Sequence, residues 1–321
     1  MSHTFDVVSI GDAKIDIFLL VHDANVRFRL NKETNELCVG SGEKITVDKC
    51  AFSLGGNAAN VAVGISRLGL KSGIFAEVGS DELSYKIINT LKKENVSIQH
   101  LKQTKGQETS ISIILNFKNE RTIFSEHVQR LHDFNFDNLS TDWIYLTSIG
   151  EEWKNVYETV AKFIEHSKTH LAFNPGTLQL AASYNSIAKA LSLTDILFLN
   201  KEEAITISNI KYQISNIEEI LRNLQKLGPK IVVITDSGNG SYAIDEKGGI
   251  LTQDAIKTKV IEKTGAGDAY STGFLTAALH GLSIKEAMMW GAVNSANVIE
   301  RYGAQAGLLT KEQMDSKLKI L

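Results

Sequence analysis

The sequence predicts an α/β fold: a mostly parallel central sheet with helices on both faces, plus a small accessory β-sheet. Three observations carry this expectation. Strand-sized apolar runs recur along the chain, amphipathic helical stretches separate them, and two regions break that rhythm with β-like alternation and no long helix.

Strands are expected near 5–10, 73–78, 143–147, 170–174, 196–199 and 230–235, where runs such as "ILFL" and "KIVVIT" occur. The helical periodicity falls over 57–68, 81–94, 152–167, 183–192, 201–208, 216–227, 265–280 and 284–301, several of these bounded by Gly or a capping residue. In 57–68, a Gly-Gly turn leads into a helix with Val61, Ile65 and Leu68 as its core stripe and Gly69 as its C′ residue. In 81–94, Asp81 caps a helix whose Leu83, Ile87, Ile88 and Leu91 form one apolar face. Residues 13–52 and 107–127 ("KIDIFLL", "ELCV", "KITV", "ISIILNF", "RTIFSE") supply the accessory sheet as two insertions in one domain spanning 1–321.

Composition narrows the class. The 321 residues are 43% hydrophobic and 22% charged, with 34 Lys+Arg against 37 Asp+Glu, the balance of a soluble globular protein. A formal charge of −3 lacks the basic excess that a nucleic-acid partner needs. The apolar runs are far too short to span a membrane. "MSHTFDVVSIGD" has no basic segment before its apolar stretch and reads as a first strand. Cys38 and Cys50 offer neither a disulfide framework nor zinc spacing and are expected as two buried thiols in a cytoplasmic protein.

The chemistry concentrates in four clusters. In "VIEKTGAGDAYSTGF", Gly265, Ala266 and Gly267 open a helix whose first amides have no partner within the helix and attract an anion. Asp268 would repel that anion unless it serves to take a proton from a hydroxyl attacking a phosphate, which reads as a phosphoryl-transfer site. Gly-rich turns before helices are common, and a first-turn Asp is favoured by the helix dipole alone, so the other clusters matter. "SIGDAKIDIFLL" puts Gly11 and Asp12 at the end of the first strand, and Asp12 and Asp16 read either as carboxylates that grip a diol or as turn aspartates. In "SLGGNAANVAVGISRLGL", Gly55 and Gly56 turn the chain and Asn57 and Asn60 open a helix, either as caps or as polyol ligands. "ILFLNKEEA" places Asn200 and Glu203 at a strand's edge, suited to a hydrated magnesium ion or to a helix cap. "IVVITDSGNGSYAI" is a strand, turn and strand fit for nucleotide contacts or a plain hairpin. Neither GxxxxGK[ST] nor a first-strand GxGxxG is present, which argues against a P-loop NTPase and a dinucleotide enzyme.

In this order the clusters resemble the ribokinase-like (PfkB) carbohydrate and nucleoside kinases over nearly the whole chain. "GAGDAYSTGF" is similar to that family's C-terminal signature, "GGNAANVAVGISRLG" to its N-terminal one, and "NKEE" to its Asn-x-x-Glu motif. The resemblance implies a ribokinase-like three-layer sandwich whose accessory strands form a β-sheet lid. It implies Asp268 as the catalytic base, with Gly265, Ala266 and Gly267 as the anion hole. Asn200 would organise phosphate, and Glu203 would hold Mg²⁺ through water. Asp12, Asp16, Gly55, Gly56, Asn57 and Asn60 would bind the acceptor, with Thr235 and Gly240 near ATP. Glu262-Lys263 stand where relatives carry Asp-Thr; Glu262 is the expected ligand of a potassium ion, with Lys263 directed away. Ser237 replaces a usual glycine. The lid is also the expected contact of a homodimer.

The activity so implied is ATP-dependent phosphorylation of a hydroxymethyl group of a pentose or hexose. A nucleoside kinase is the alternative, with Phe18, Phe28, Phe117 or Phe124 stacking on a base or forming lid core. A non-catalytic sugar-binding protein is disfavoured by Asp268, which a binder does not need.

Overall fold

The computed structural model describes residues 4–22, 25, 27–31, 33–34, 36–118, 120–208 and 216–320. The N-terminal part contains β1 (Phe5–Ile10), β2 (Lys14–Leu20), β3 (Phe28–Asn31), β4 (Glu36–Val39), β5 (Lys49–Gly55), α1 (Asn57–Arg67), β6 (Ser72–Val78), α2 (Glu82–Lys93) and β7 (Leu101–Gln103). The middle adds β8 (Ile111–Phe117), β9 (Glu120–Ser125), β10 (Thr141–Leu146), α3 (Trp153–His166), β11 (His170–Phe173), α4 (Thr177–Ala181), α5 (Tyr184–Ser192), β12 (Ile196–Asn200), α6 (Lys201–Ser208) and α7 (Ile217–Lys226). The last part holds β13 (Ile231–Thr235), β14 (Ser241–Ile244), β15 (Ile250–Gln253), α8 (Ala266–Leu279), α9 (Ile284–Val298) and α10 (Lys311–Leu318).

The large sheet runs β15-β14-β13-β12-β11-β10-β1-β6-β7. From β13 to β7 every neighbour is parallel, and β14 and β15 close one edge as antiparallel strands. Helices cover both faces because each strand sends alternate apolar side chains to opposite sides. Leu197, Leu199, Val232 and Ile234 pack with α3, α5, α6 and α7, while Ile196, Phe198 and Val233 pack with α1, α8, α9 and α10. The expected strands and helices are all present. The short β7, α4, β15 and α10 were not anticipated, since three to eight residues give periodicity too few turns to register.

Two helix details follow the sequence expectations. Val61, Ile65 and Leu68 are buried, and Gly69 takes φ +91° beyond the end of α1. Asp81 caps α2 by accepting from the Ser84 amide at 3.0 Å, and Ile87 and Leu91 are buried beneath it.

The small sheet is ordered β5-β2-β8-β9 and draws its strands from both inserted regions. It is mixed: β2–β5 and β8–β9 are antiparallel, whereas β2 and β8 are parallel because the main domain intervenes between them. β3 and β4 form a separate two-stranded ribbon. The cysteines correct the sequence reading: both are exposed. Cys38 lies on the thin ribbon and Cys50 at the start of the edge strand β5, where too few neighbours exist to bury a thiol.

Candidate active site

A cleft of about 660 Å³ opens between the C-terminal ends of the central strands and one face of the small sheet. Register decides that face. Asp16, Ser112 and Ser125 pair across β2, β8 and β9, so their side chains share one side, and all three line the cleft. The neighbouring row, Phe52, Ile17, Ile113 and Phe124, lies on the opposite side.

Two glycine turns bring the clusters together. Gly56 has φ +90°, and a Cβ there would stand 2.4 Å from the Asp12 carbonyl oxygen; one on Gly55 would stand 2.1 Å from Oδ2 of Asp16. Gly56 therefore excludes a side chain, and Gly55 leaves the space that the Asp16 carboxylate occupies beside the start of α1. At the other turn, Gly265 caps α8 with φ +79°, and a Cβ on it would meet that of Ala304 at 2.5 Å. Gly267 differs, since a Cβ there would meet nothing within 4 Å. Its missing side chain leaves open cleft, the space an anion needs. The Ala266 amide donates to the Lys263 carbonyl at 3.3 Å and is thereby occupied.

Asp268 is buried in the first turn of α8 and reaches the cleft. Burial pushes its carboxyl up to about 7; the hydrogen bond from Asn60 opposes that rise, and the charges of Asp16 and Glu203 add to it. The bond runs from Asn60 Nδ2 to Asp268 Oδ2 at 2.8 Å. Asn60, expected as an acceptor ligand, is thus engaged with Asp268 itself. Asp16 is raised to about 6, chiefly by burial, with Lys14 lowering it and Glu262 raising it. Asp12 faces the His127 ring, with Nδ1 3.7 Å from Oδ2.

Asn200 and Glu203 form a reciprocal cap on α6. The Glu203 amide donates to Asn200 Oδ1 at 2.9 Å, and the Asn200 amide donates to Glu203 Oε2 at 2.8 Å. Both still line the cleft, and burial raises the Glu203 carboxyl. The cap and the ligand reading therefore coexist. Thr235 also lines the cleft, whereas Gly55, Gly240 and Glu262 do not. Gly240 has φ +90°, with a Cβ position 2.1 Å from the Gln253 carbonyl oxygen, and so shapes the turn between β13 and β14. Ser237 takes φ +48°, the left-handed region that favours glycine, although it carries a side chain.

Glu262 is buried behind the cleft. Its Oε1 accepts from the Thr264 amide at 2.8 Å and hydroxyl at 2.5 Å, and Arg121 Nη1 of β9 lies 3.5 Å away. Its Oε2 has no hydrogen-bond partner among the described residues. Lys263 is exposed and lines the cleft, whereas its neighbour Glu262 is buried and does not. Phe18, Phe28 and Phe117 are buried, the last two in one hydrophobic cluster, and Phe124 lies on the face away from the cleft. None of the four lines the cleft, and Phe18, although on the same face of β2 as Asp16, is only 1% exposed.

Sequence reasoning missed Lys14, Ser112, Arg121, Ser125 and His127, which the small sheet and its exit bring to the cleft. It also missed Asn174 and Gly176 at the end of β11, a position where ligands gather in open α/β sheets and which that rule could have flagged.

Known proteins resemble this chain in sequence and in fold. Residues 6–311 match the family model described as pfkB family carbohydrate kinase. A nucleoside kinase of Methanocaldococcus jannaschii is 29% identical over 273 residues, covering 83% of this chain and 85% of that protein. A 5-dehydro-2-deoxygluconokinase of Bacillus subtilis is 24% identical over 338 aligned positions, covering 98% and 96%. Among solved structures, an Arabidopsis thaliana ribokinase complexed with ribose and ATP superposes with a TM-score of 0.80 at 19% identity, covering 98% of this chain and 99% of that one.

Proposed function

Because the chain belongs to the pfkB family of carbohydrate kinases and is thereby an ATP-dependent phosphotransferase, we propose that this cleft moves the γ-phosphate of ATP to a hydroxymethyl group of a pentose or hexose. The observation that carries the reading is Asp268: a buried carboxyl raised to about 7, set beside a helix-opening turn whose Gly267 leaves room for an anion. Asp268 takes the proton of the acceptor hydroxyl through the oxygen that Asn60 leaves free. The hydroxyl oxygen then attacks the γ-phosphorus, the bond to ADP breaks, and the amides of Gly265 and Gly267 hold the developing charge. Asp12, Asp16 and Asn57 bind the acceptor's other hydroxyls, and Thr235 and Asn200 lie toward the nucleotide.

The residues present fit magnesium held through water. Glu203 and Asn200 offer oxygen donors on the cleft wall, and among the described residues no cluster of three His, Cys, Asp or Glu could hold a metal directly. When bound, the ion neutralises phosphate charge. Potassium fits Glu262, whose unpartnered buried Oε2 is a donor for a monovalent cation, with Arg121 supplying part of the compensating charge at Oε1.

The sugar reading is preferred to the nucleoside one because none of the four candidate phenylalanines lines the cleft. We also infer one kinase domain with the small sheet as its lid, in a cytoplasmic protein with no nucleic-acid or membrane partner; no helix among the described residues is long and apolar enough to cross a membrane. A homodimer through the lid is favoured by Phe52 and Phe124, 49% and 59% exposed on the face away from the cleft. The deciding experiment measures ADP release with ribose, fructose, a sugar acid and adenosine. Turnover of a sugar above adenosine supports the proposal; adenosine alone would move it to the nucleoside alternative, and no turnover with any acceptor would refute both.

A further inference from the structure

Behind Asp268 the hydrogen bonding continues one residue further. Gln305, in the segment between α9 and α10, is buried, and its Nε2 donates to Asn60 Oδ1 at 3.0 Å. The chain is therefore Gln305 to Asn60 to Asp268, with every step buried. An asparagine amide is nearly symmetric in shape, so Asn60 alone could present either its NH₂ or its oxygen to the carboxylate. A donor on Oδ1 removes that freedom and turns the NH₂ to Asp268.

The Gln305 backbone is held as firmly as its side chain. Arg67 Nη1 donates to its carbonyl at 2.7 Å and to that of Leu308 at 3.1 Å. Asn297 Nδ2 donates to the Gly307 carbonyl at 2.6 Å, and Ala304 closes against Gly265. Such anchoring fixes the donor's position relative to both α1 and α8.

We propose that Gln305 is a positioning residue that orients the Asn60 amide, so that Asp268 keeps one oxygen engaged and the other free for the acceptor hydroxyl. This rests on the assignment of Asp268 as the base. The Asn60 bond favours the ionised carboxylate, against the burial and the charges of Asp16 and Glu203 that favour the protonated form; Tyr145 also faces Asp268 from β10. Losing the orienting donor should therefore raise the pH at which the base becomes ionised.

The test is Gln305→Met, which keeps length without the donor. It should lower kcat about tenfold at pH 7, leave the acceptor KM within about twofold, and move the acid limb of kcat/KM up by about half to one pH unit. In an Asn60→Leu background the same substitution should add nothing, because its effect passes through Asn60. An unmoved acid limb, or an equal loss in the Asn60→Leu background, would overturn the proposal. Gln305→Ala, which removes the donor without crowding, repeats the comparison if the methionine variant does not fold. Asp268→Asn run alongside separates the two readings: if it stays active, the base assignment has failed, and if it is inactive while Gln305→Met keeps the wild-type pH profile, only the positioning role has failed.

Discussion

A Cβ on Gly64 would stand 2.5 Å from Cγ2 of Thr272, so α1 and α8 meet where no larger residue fits. Asn60 and Asp268 lie one turn earlier on the same two helices, and their bond depends on that approach. Gly64→Ala should destabilise the protein by about 1–3 kcal/mol and lower kcat, since the helices must part. Thr272→Ser removes the obstructing methyl, so the double variant should regain much of both losses. Additive losses in denaturation and rate measurements would show that the crossing does not set the site.

The pH profile follows from Asp268. The base must be ionised, its carboxyl sits at about 7, and protonation therefore removes activity as pH falls. We expect kcat/KM to be level above about pH 7 and to fall about tenfold per unit below it. Asp268→Asn should lower kcat by about 10²–10⁴ with KM little changed. A variant keeping more than about a tenth of kcat contradicts the assignment.

The same shift has a stability consequence. The folded-state value is raised above the ordinary 3.8, so the contribution to stability is fully present below about 4 and lost as pH rises through about 7. Wild type should thus lose more stability between pH 4 and pH 8 than Asp268→Asn does. Parallel Tm curves for the two proteins would refute this.

Gly267 is the glycine whose Cβ position is open. Gly267→Val is expected to fold, shown by an unchanged circular dichroism spectrum, and to lose activity because its methyls occupy the anion's space. A folded variant with near wild-type turnover would remove Gly267 from the site.

Glu262 has one oxygen near Arg121 and one with no partner. Potassium should accelerate turnover modestly relative to tetramethylammonium at matched ionic strength, and Glu262→Gln should abolish the difference. Equal rates in both salts would indicate that the guanidinium suffices.

Much of the framework was legible from local pattern. Period-2 and period-3.6 apolar repeats determine strands and helices, and the Asp81 cap and Gly69 stop act within a few residues of themselves, so reading β1, α1, α2 and β13 needed no partner. The "GAGD" turn was readable for the same reason: an amide-rich helix start and a carboxylate are local chemistry. What the tertiary structure decided was pairing between distant segments. Asn60 and Gln305 are 245 positions apart and Arg121 and Glu262 are 141 apart, and no local period encodes either contact. The same holds for the phenylalanines and the cysteines. Their burial depends on which sheet face and which edge they occupy, and that is settled only when β2, β5, β8 and β9 pair in register and the cleft takes one of their two sides.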